Sequence, residues 1–390
     1  MKIQVAQQDL ETAISTVRFA VGKDADLSSH YLFRLSGGVL KVNSFSRQTF
    51  ASAPIISKVD NAEDGDAFTV EAWRLEKWVA AVGEGLLTLE YEGNGDVRCK
   101  GPHSRIRLRS LDPTKWPTND NLMASAEEMG TIDGAALNRA LALCKFFMSD
   151  EDTTKPEIAQ VESRAGVLWA SDRRSILKID LPLTGLDIRI PSSDVNTVSR
   201  FLGGKDSITI KNSDRDLSVG GGGSTTFWKS DGSYFGVSRP VLEFPDLKIP
   251  SDQNPPVQLT LDREEFAVAL SVLLAGAPKG HSDVTFSYNS GQVYASMPCE
   301  AGGLDEYPLE KSVLAGDMDN WTDFTIRTRY LEGVASTFGL DTLSLGVYKK
   351  ARGGYVEFRV NAPEGEDGEE LFGNKFPDDN RYTAIILWKN

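Results

Sequence analysis

Three times along the chain, a short alternating segment gives way to apolar residues spaced three and four apart. Ile3 and Val5 precede Leu10, Ile14, Val17 and Val21. Thr131-Ile132 precede Leu137, Leu141 and Cys144, and the run Val257 to Leu261 precedes Phe266, Leu270 and Leu273. Alternation predicts a strand, and the three-and-four spacing predicts one apolar face of a helix. Asp9, Asp133 and Asp262 open the three helices, where a carboxylate can accept from a free N–H of the first turn. Asp262 and Glu265 have capping-box spacing. These aspartates lie 124 and 129 positions apart, which suits whole domains rather than a solenoid repeat.

Each copy predicts a second helix further on. Val70 to Val82 contains Leu75, Trp78 and Val79 and ends at Gly83. Ser193 to Leu202 contains Val195, Val198 and Phe201 and ends at Gly203-Gly204; Arg327 to Phe338 contains Leu331 and Val334 and ends at Gly339. A glycine there supplies a left-handed C-cap. An alternating strand follows each time, beginning at Leu87, Ser207 and Leu343. The remaining segments read as strands and turns, so each copy is an α+β domain. Joints are expected near Asn119 to Glu127 and near Pro250 to Pro256, giving domains 1–123, 124–253 and 254–390. A stretch rich in acidic residues and glycine, near 362–381, reads as an exposed loop inserted between the last two strands.

Composition narrows the function. The chain has 390 residues and a net charge of -14, so it is not basic all over as a simple DNA-coating protein would be. An acidic chain can still meet DNA if its cations are gathered on one surface. No apolar run of about 18 residues predicts a membrane span. The start, Met1 to Val5, lacks the apolar core of a signal peptide, so a cytoplasmic location is expected. Cys99, Cys144 and Cys299 are far apart, and His30, His103 and His281 have no motif around them. No disulfide framework, metal site or cofactor is therefore expected. Gly220 to Gly223 is not a phosphate loop, since no Gly-Lys-Ser/Thr follows. Nothing points to an enzyme. Two other classes stay open: a repeated-domain structural protein such as a virion component, and a binding module.

Local motifs favour the second class. Ala170-Ser171-Asp172-Arg173-Arg174-Ser175-Ile176-Leu177 resembles the Ala-Thr-Asp-Gly-His-Arg-Leu segment of the bacterial-type sliding clamps, the beta subunits of DNA polymerase III. Phe244-Pro245-Asp246 matches that family's Phe-Pro-Asp. Ser104 to Leu108, Ser110-Leu111, Trp116-Pro117 and the helix Leu137 to Met148 resemble their counterparts, in order and in spacing.

The resemblance implies a crescent of three DNA-clamp domains that closes head to tail with a second copy into a ring around duplex DNA. Ile106 and Leu108 would then meet Leu273 and Leu274 of the other copy. A sequence-neutral channel needs phosphate contacts. The helices offer Arg18, Arg74, Lys77, Arg139, Lys145, Arg200, Arg327 and Arg329, and the loops offer Lys23, Lys155 and Lys279. The resemblance also implies a pocket where a DNA polymerase and a clamp loader insert apolar peptide anchors. Its matching positions are Ser171, Arg173, Arg174, Ser175, Ile176, Pro245, Ile249 and Ile385-Ile386-Leu387-Trp388, with Pro156 or Ile158 as a further wall. The family's Gly-His-Arg and Met-Pro-Met-Arg-Leu are replaced here by Arg173-Arg174-Ser175 and Ile386-Leu387-Trp388-Lys389-Asn390. Such departures would suit a virus-encoded member whose pocket prefers a different peptide.

Overall fold

The computed structural model describes residues 1–24, 26–93, 95–117, 126–149, 156–164, 166–172, 174–181, 186–203, 206–213, 223–240, 242, 245, 255–331, 333, 342–349, 354–361 and 381–388. For 180, 349, 354–361 and 381–388 it describes the backbone alone. The expected joints fall largely outside these ranges.

The chain divides into two compact units, Met1–Gly134 with Arg189–Val241, and Ala135–Ile188 with Leu242–Asn390. In chain order the first strands are β1 Lys2–Ala6, β2 His30–Ser36, β3 Val39–Phe45, β4 Thr49–Pro54 and β5 Ser57–Asp60. They are followed by β6 Ala67–Glu71, β7 Leu86–Tyr91, β8 Asp96–Lys100, β9 Arg105–Arg109 and β10 Glu127–Asp133. Next come β11 Gln160–Arg164, β12 Val167–Ser171, β13 Ser175–Asp180 and β14 Ile188–Pro191. Then come β15 Ser207–Ser213, β16 Ser224–Trp228, β17 Tyr234–Ser238, β18 Val257–Asp262, β19 Asp283–Asn289 and β20 Gln292–Pro298. The last are β21 Leu304–Pro308, β22 Val313–Gly316, β23 Phe324–Arg327, β24 Thr342–Lys349, β25 Gly354–Asn361 and β26 Arg381–Trp388. The helices are α1 Gln7–Val17, α2 Ala72–Ala81, α3 Gly134–Phe147, α4 Ser192–Leu202 and α5 Arg263–Gly276.

The first unit holds a sheet ordered β5-β1-β7-β8-β9 and an eight-stranded sheet ordered β10-β15-β16-β17-β4-β3-β2-β6. In the second unit a sheet runs β11-β12-β13-β26-β25-β24-β18-β22, beside a four-stranded sheet β21-β20-β19-β23. All the registered pairs that join these strands are antiparallel, for example Tyr234 opposite Ser52 and Ser175 opposite Ile386. Those two pairings carry continuous sheet across the joints expected between sequence copies. Backbone pairing therefore runs across the expected boundaries, and each compact unit takes part of the expected second copy, 124–253.

The helices bury the stripes that periodicity predicts. Leu10, Ile14 and Val17 of α1, Leu75, Trp78 and Val79 of α2, and Phe266, Leu270 and Leu273 of α5 are core residues. Two capping expectations change. β1 runs straight into α1, so Ala6 is the N-cap and Asp9 sits inside the first turn, favourable for the helix dipole but making no cap bond. Asp262 does cap α5, accepting from Glu265 N at 2.8 Å, but the Glu265 carboxylate turns to Lys311 N instead of closing the box. Gly83 takes the left-handed conformation, φ 75°, just past α2. Of the third expected second helix, residues 328–331 and 333 are described, and they are helical. β25 and β26 pair with Asn361 opposite Arg381, so the expected acidic insertion joins the two ends of a hairpin; its residues lie outside the described ones.

Candidate partner-docking site and DNA-facing helices

The turn between β12 and β13 is organised around one carboxylate. Asp172 Oδ1 accepts from Arg174 N at 3.1 Å, Ser175 N at 2.9 Å and Ser175 Oγ at 2.8 Å. An aspartate that bonds backbone two and three residues on fixes a turn locally. Ser171 Oγ donates to Ser175 O at 2.8 Å and ties the two strand ends together. The second oxygen, Oδ2, accepts from the Arg329 guanidinium and the Tyr330 hydroxyl, with Arg327 Nη1 4.0 Å away. The Asp172 side chain is only 5% exposed. A carboxylate buried so far is tolerable only when paired and hydrogen-bonded, and here both oxygens are satisfied.

Tyr330 is buried and stacks on Phe147 with ring centroids 5.1 Å apart. Burial, then the bond to Asp172, pushes its phenol above the usual range, so it stays a donor. Burial works against a charged Arg329, but Tyr330 and Asp172 outweigh it and hold the guanidinium protonated.

The walls around this turn come from distant segments. Ile176 lies opposite Ile385, and Ser175 opposite Ile386, in the β13–β26 ladder. The structure thus brings the C-terminal strand alongside the Asp172 turn in register, as far as Leu387 and Trp388 at its end. Gln160 is fully buried, and its Nε2 donates to Glu157 O at 3.1 Å and Leu242 O at 2.9 Å. It thereby pins the 3-10 turn Pro156–Ile158 to the chain entering Pro245. Pro156 is exposed and Pro245 half-buried, whereas Ile158, 3% exposed, belongs to the core. Ser171, Ser175 and Ile176 are buried and Arg174 is exposed. Arg173 and Ile249, and the side chains of Ile385, Ile386, Leu387 and Trp388, lie outside the described residues.

The expected DNA-facing cations fall into three groups. Arg18, Lys23, Arg74, Lys77, Arg200 and Lys279 are exposed. Arg139 and Lys145 are half-buried on α3 and engaged in interactions of their own. Arg329 is bonded to Asp172, and Arg327 lies between Asp283, 3.8 Å away, and Asp172, 4.0 Å away. Lys155 lies outside the described residues. The acid that takes these two arginines stands in the family-like motif, yet a sequence cannot show two segments that far apart meeting.

Among the expected interface residues, Ile106 is half-buried and Leu108 buried on β9, the last strand of its sheet. On α5, Leu273 is 1% exposed and Leu274 is 38% exposed, with Val268 and Val272 exposed on the same helix. Among the described residues, no cluster of three or more His, Cys, Asp or Glu could hold a metal ion. No described helix is long and apolar enough to cross a membrane, which leaves strand-built spans unaddressed. Cys99 and Cys144 are buried free thiols, and burial raises the Cys99 thiol to about 12, too high for a nucleophile.

This succession of helices and antiparallel sheets is the fold of the DNA sliding clamps. Over its whole length the chain is similar to the DNA polymerase III subunit beta of Pseudomonas aeruginosa, with a TM-score of 0.78, 15% identity and 100% of each chain covered. The beta subunit of Thermotoga maritima superposes with a TM-score of 0.75 and 15% identity, covering 99% of this chain and 98% of that one. A ligand-bound DNA polymerase sliding clamp from Pseudomonas aeruginosa gives 0.78 at 14% identity, with both chains fully covered. No protein-family model matches the chain, and no curated protein matches it by sequence.

Proposed function

We propose that the chain is a sliding clamp, a non-catalytic processivity factor that encircles duplex DNA as a homodimer and tethers a DNA polymerase. The observation that carries this reading is the end-to-end likeness in fold to beta subunits, with nothing left over in either chain. In this reading residues 1–123, 124–253 and 254–390 are three clamp domains, and two copies close head to tail. It places the work beside replicating DNA in the cytoplasm.

Two sheet edges support the joint between copies. β9 ends its sheet and carries exposed Arg105, Arg107 and Arg109, alternating with Ile106 and Leu108. β21 also ends its sheet and carries Asp305 and exposed Glu306 and Leu304. An unpaired strand edge is a template for another strand, and opposite charges fix which edge it accepts. Leu274, Val268 and Val272 of α5 supply apolar surface for the same joint.

The exposed cations Arg18, Lys23, Arg74, Lys77, Arg200 and Lys279, with Arg139, Lys145 and Lys155, would meet phosphates without reading bases. Arg329 serves Asp172, Arg327 is shared between Asp283 and Asp172, and the two contribute least. Topological closure supplies retention, so contact affinity can stay weak, while the -14 net charge disfavours DNA outside the ring. The Asp172 turn, with Pro245 and the C-terminal strand, forms the docking site for peptides of the polymerase and clamp loader.

The rival, a structural protein of repeated domains, needs neither a closed dimer nor a hole. Light scattering should give twice 42.7 kDa, and particle images should show a ring open in the middle. Charge reversal at Arg105 and Arg107 should weaken self-association by about tenfold or more. A monomer, or an open-ended assembly indifferent to those reversals, contradicts the reading.

A further inference from the structure

Helix α2 carries two tryptophans with opposite fates. Trp78 is buried, and its Nε1 donates to Ser104 Oγ at 3.0 Å. Trp73, on the other face, is 49% exposed. A large ring at an exposed helix position adds little to folding, yet this one is held in place. Its Nε1 donates to the Glu71 carboxylate. Arg74 and Lys77 both lie against the ring, 5.1 and 4.8 Å from its centroid. Lys77 is one turn from Trp73, on the same face.

Two of the local cations lie on the ring itself. Glu71 is neutralised by Arg74 Nε at 2.8 Å. Among the described residues Lys77 makes no ion pair. Glu76 is engaged by the buried Tyr31 hydroxyl, and Arg18 is near enough to act on that same hydroxyl. Arg18 itself packs on Phe19, 5.0 Å from its ring. Cations thus surround an aromatic face fixed by its own hydrogen bond.

An aromatic face among cations matches one ligand chemistry closely: a nucleobase on the ring and phosphates on the flanking charges. Duplex DNA hides its base faces in the stack and shows only edges and backbone. Away from duplex ends, an exposed ring can stack only on an unpaired base. We propose that Trp73, with Arg74 and Lys77, is a stacking platform for single-stranded DNA. Stacking is sequence-tolerant because every base has a π-face, so the platform fits a protein that must read no sequence. On a clamp it would hold the protein where duplex gives way to single strand. The inference rests on the sliding-clamp reading for that role, but not for the contact itself.

The test uses the full-length chain, a short labelled oligo-dT and a duplex of equal length, at low salt. Trp73→Ala should weaken oligo-dT binding roughly tenfold and leave the duplex unchanged, and Trp73→Phe should keep most of the affinity. Lys77→Ala should weaken both ligands and flatten the salt dependence. Oligo-dT should quench the emission of the wild type more than that of Trp73→Phe, a readout that does not depend on how the alanine variant folds. Unchanged oligo-dT affinity in Trp73→Ala, equal losses on both ligands, or equal quenching in both proteins overturns the proposal and makes the two cations a cover for the ring. Short linear ligands need no ring, so these results stand apart from whether the chain encircles DNA.

Discussion

The Asp172 turn and the Trp73 face of α2 are built from the same parts: a carboxylate, arginine and an aromatic residue with a polar hydrogen. At Asp172 the parts are closed on one another. The acid is buried, both its oxygens are bonded, and Tyr330 is stacked from behind by Phe147. At Trp73 they are open. Glu71 orients the ring from one side, and half of the ring faces solvent between two cations. Burial, more than residue type, separates a device that fixes a backbone from a surface that can take a ligand. The same rule divides the expected DNA contacts, because Arg74 and Lys77 stand at the open site while Arg329 is spent at the closed one and Arg327 lies between Asp283 and Asp172.

The largest effect should come from breaking the closed site. Asp172→Ala leaves Arg329 and the Tyr330 hydroxyl without their acceptor and should destabilise the chain by about 3 kcal/mol, read as a lower urea midpoint. A change below about 1 kcal/mol would mean that the turn does not depend on its acid.

A third carboxylate sharpens the contrast. Asp194, in the first turn of α4, is buried like Asp172, but its Oδ2 finds no donor among the described residues. Burial raises it from 3.8 to about 6. The folded chain therefore holds this proton where the unfolded chain has released it. Stability from the group is full below about pH 4 and is lost as pH rises through about 6. Asp194→Asn should stabilise the chain by about 2 kcal/mol at pH 7.5 and by little at pH 4. Urea midpoints against pH check this, and a gain equal at both pH values would contradict it.

Smaller effects follow. Tyr330→Phe removes one donor to Asp172 but keeps the stack on Phe147, and should cost about 1 kcal/mol. Trp73→Ala should move stability by no more than about 0.5 kcal/mol, because an open surface contributes little to the fold. A large loss there would place Trp73 with the closed sites.

Much of the architecture was legible in the sequence. The stripes of α1, α2 and α5 and the alternation of β7, β15 and β24 were marked by period alone, since a helix or strand with one buried face must repeat at its own pitch. The first cap differs from the expectation because β1 continues through Ala6 and leaves Asp9 inside the first turn. Sheet pairing across the expected joints could not be read, because no local pattern tells Tyr234 that Ser52 will lie opposite. The Asp172 turn is visible as a motif in the sequence, but its chemistry is not. Arg327 and Arg329 read as channel cations in the sequence, and only the fold brings Asp172 and Asp283 to them. Trp73 carries one signal in the sequence, an aromatic ring on the polar face of α2, and the charges of Arg74 and Lys77 mask it.

Encirclement is the central claim, and retention on closed DNA tests it most directly. The chain is dissociated, allowed to reassociate in the presence of nicked circular plasmid, and washed at high salt to screen contact electrostatics. A ring stays on the circle and leaves when the plasmid is cut once. Protein that washes off the circle as fast as off the cut plasmid, or that stays equally on both, is not held by topology.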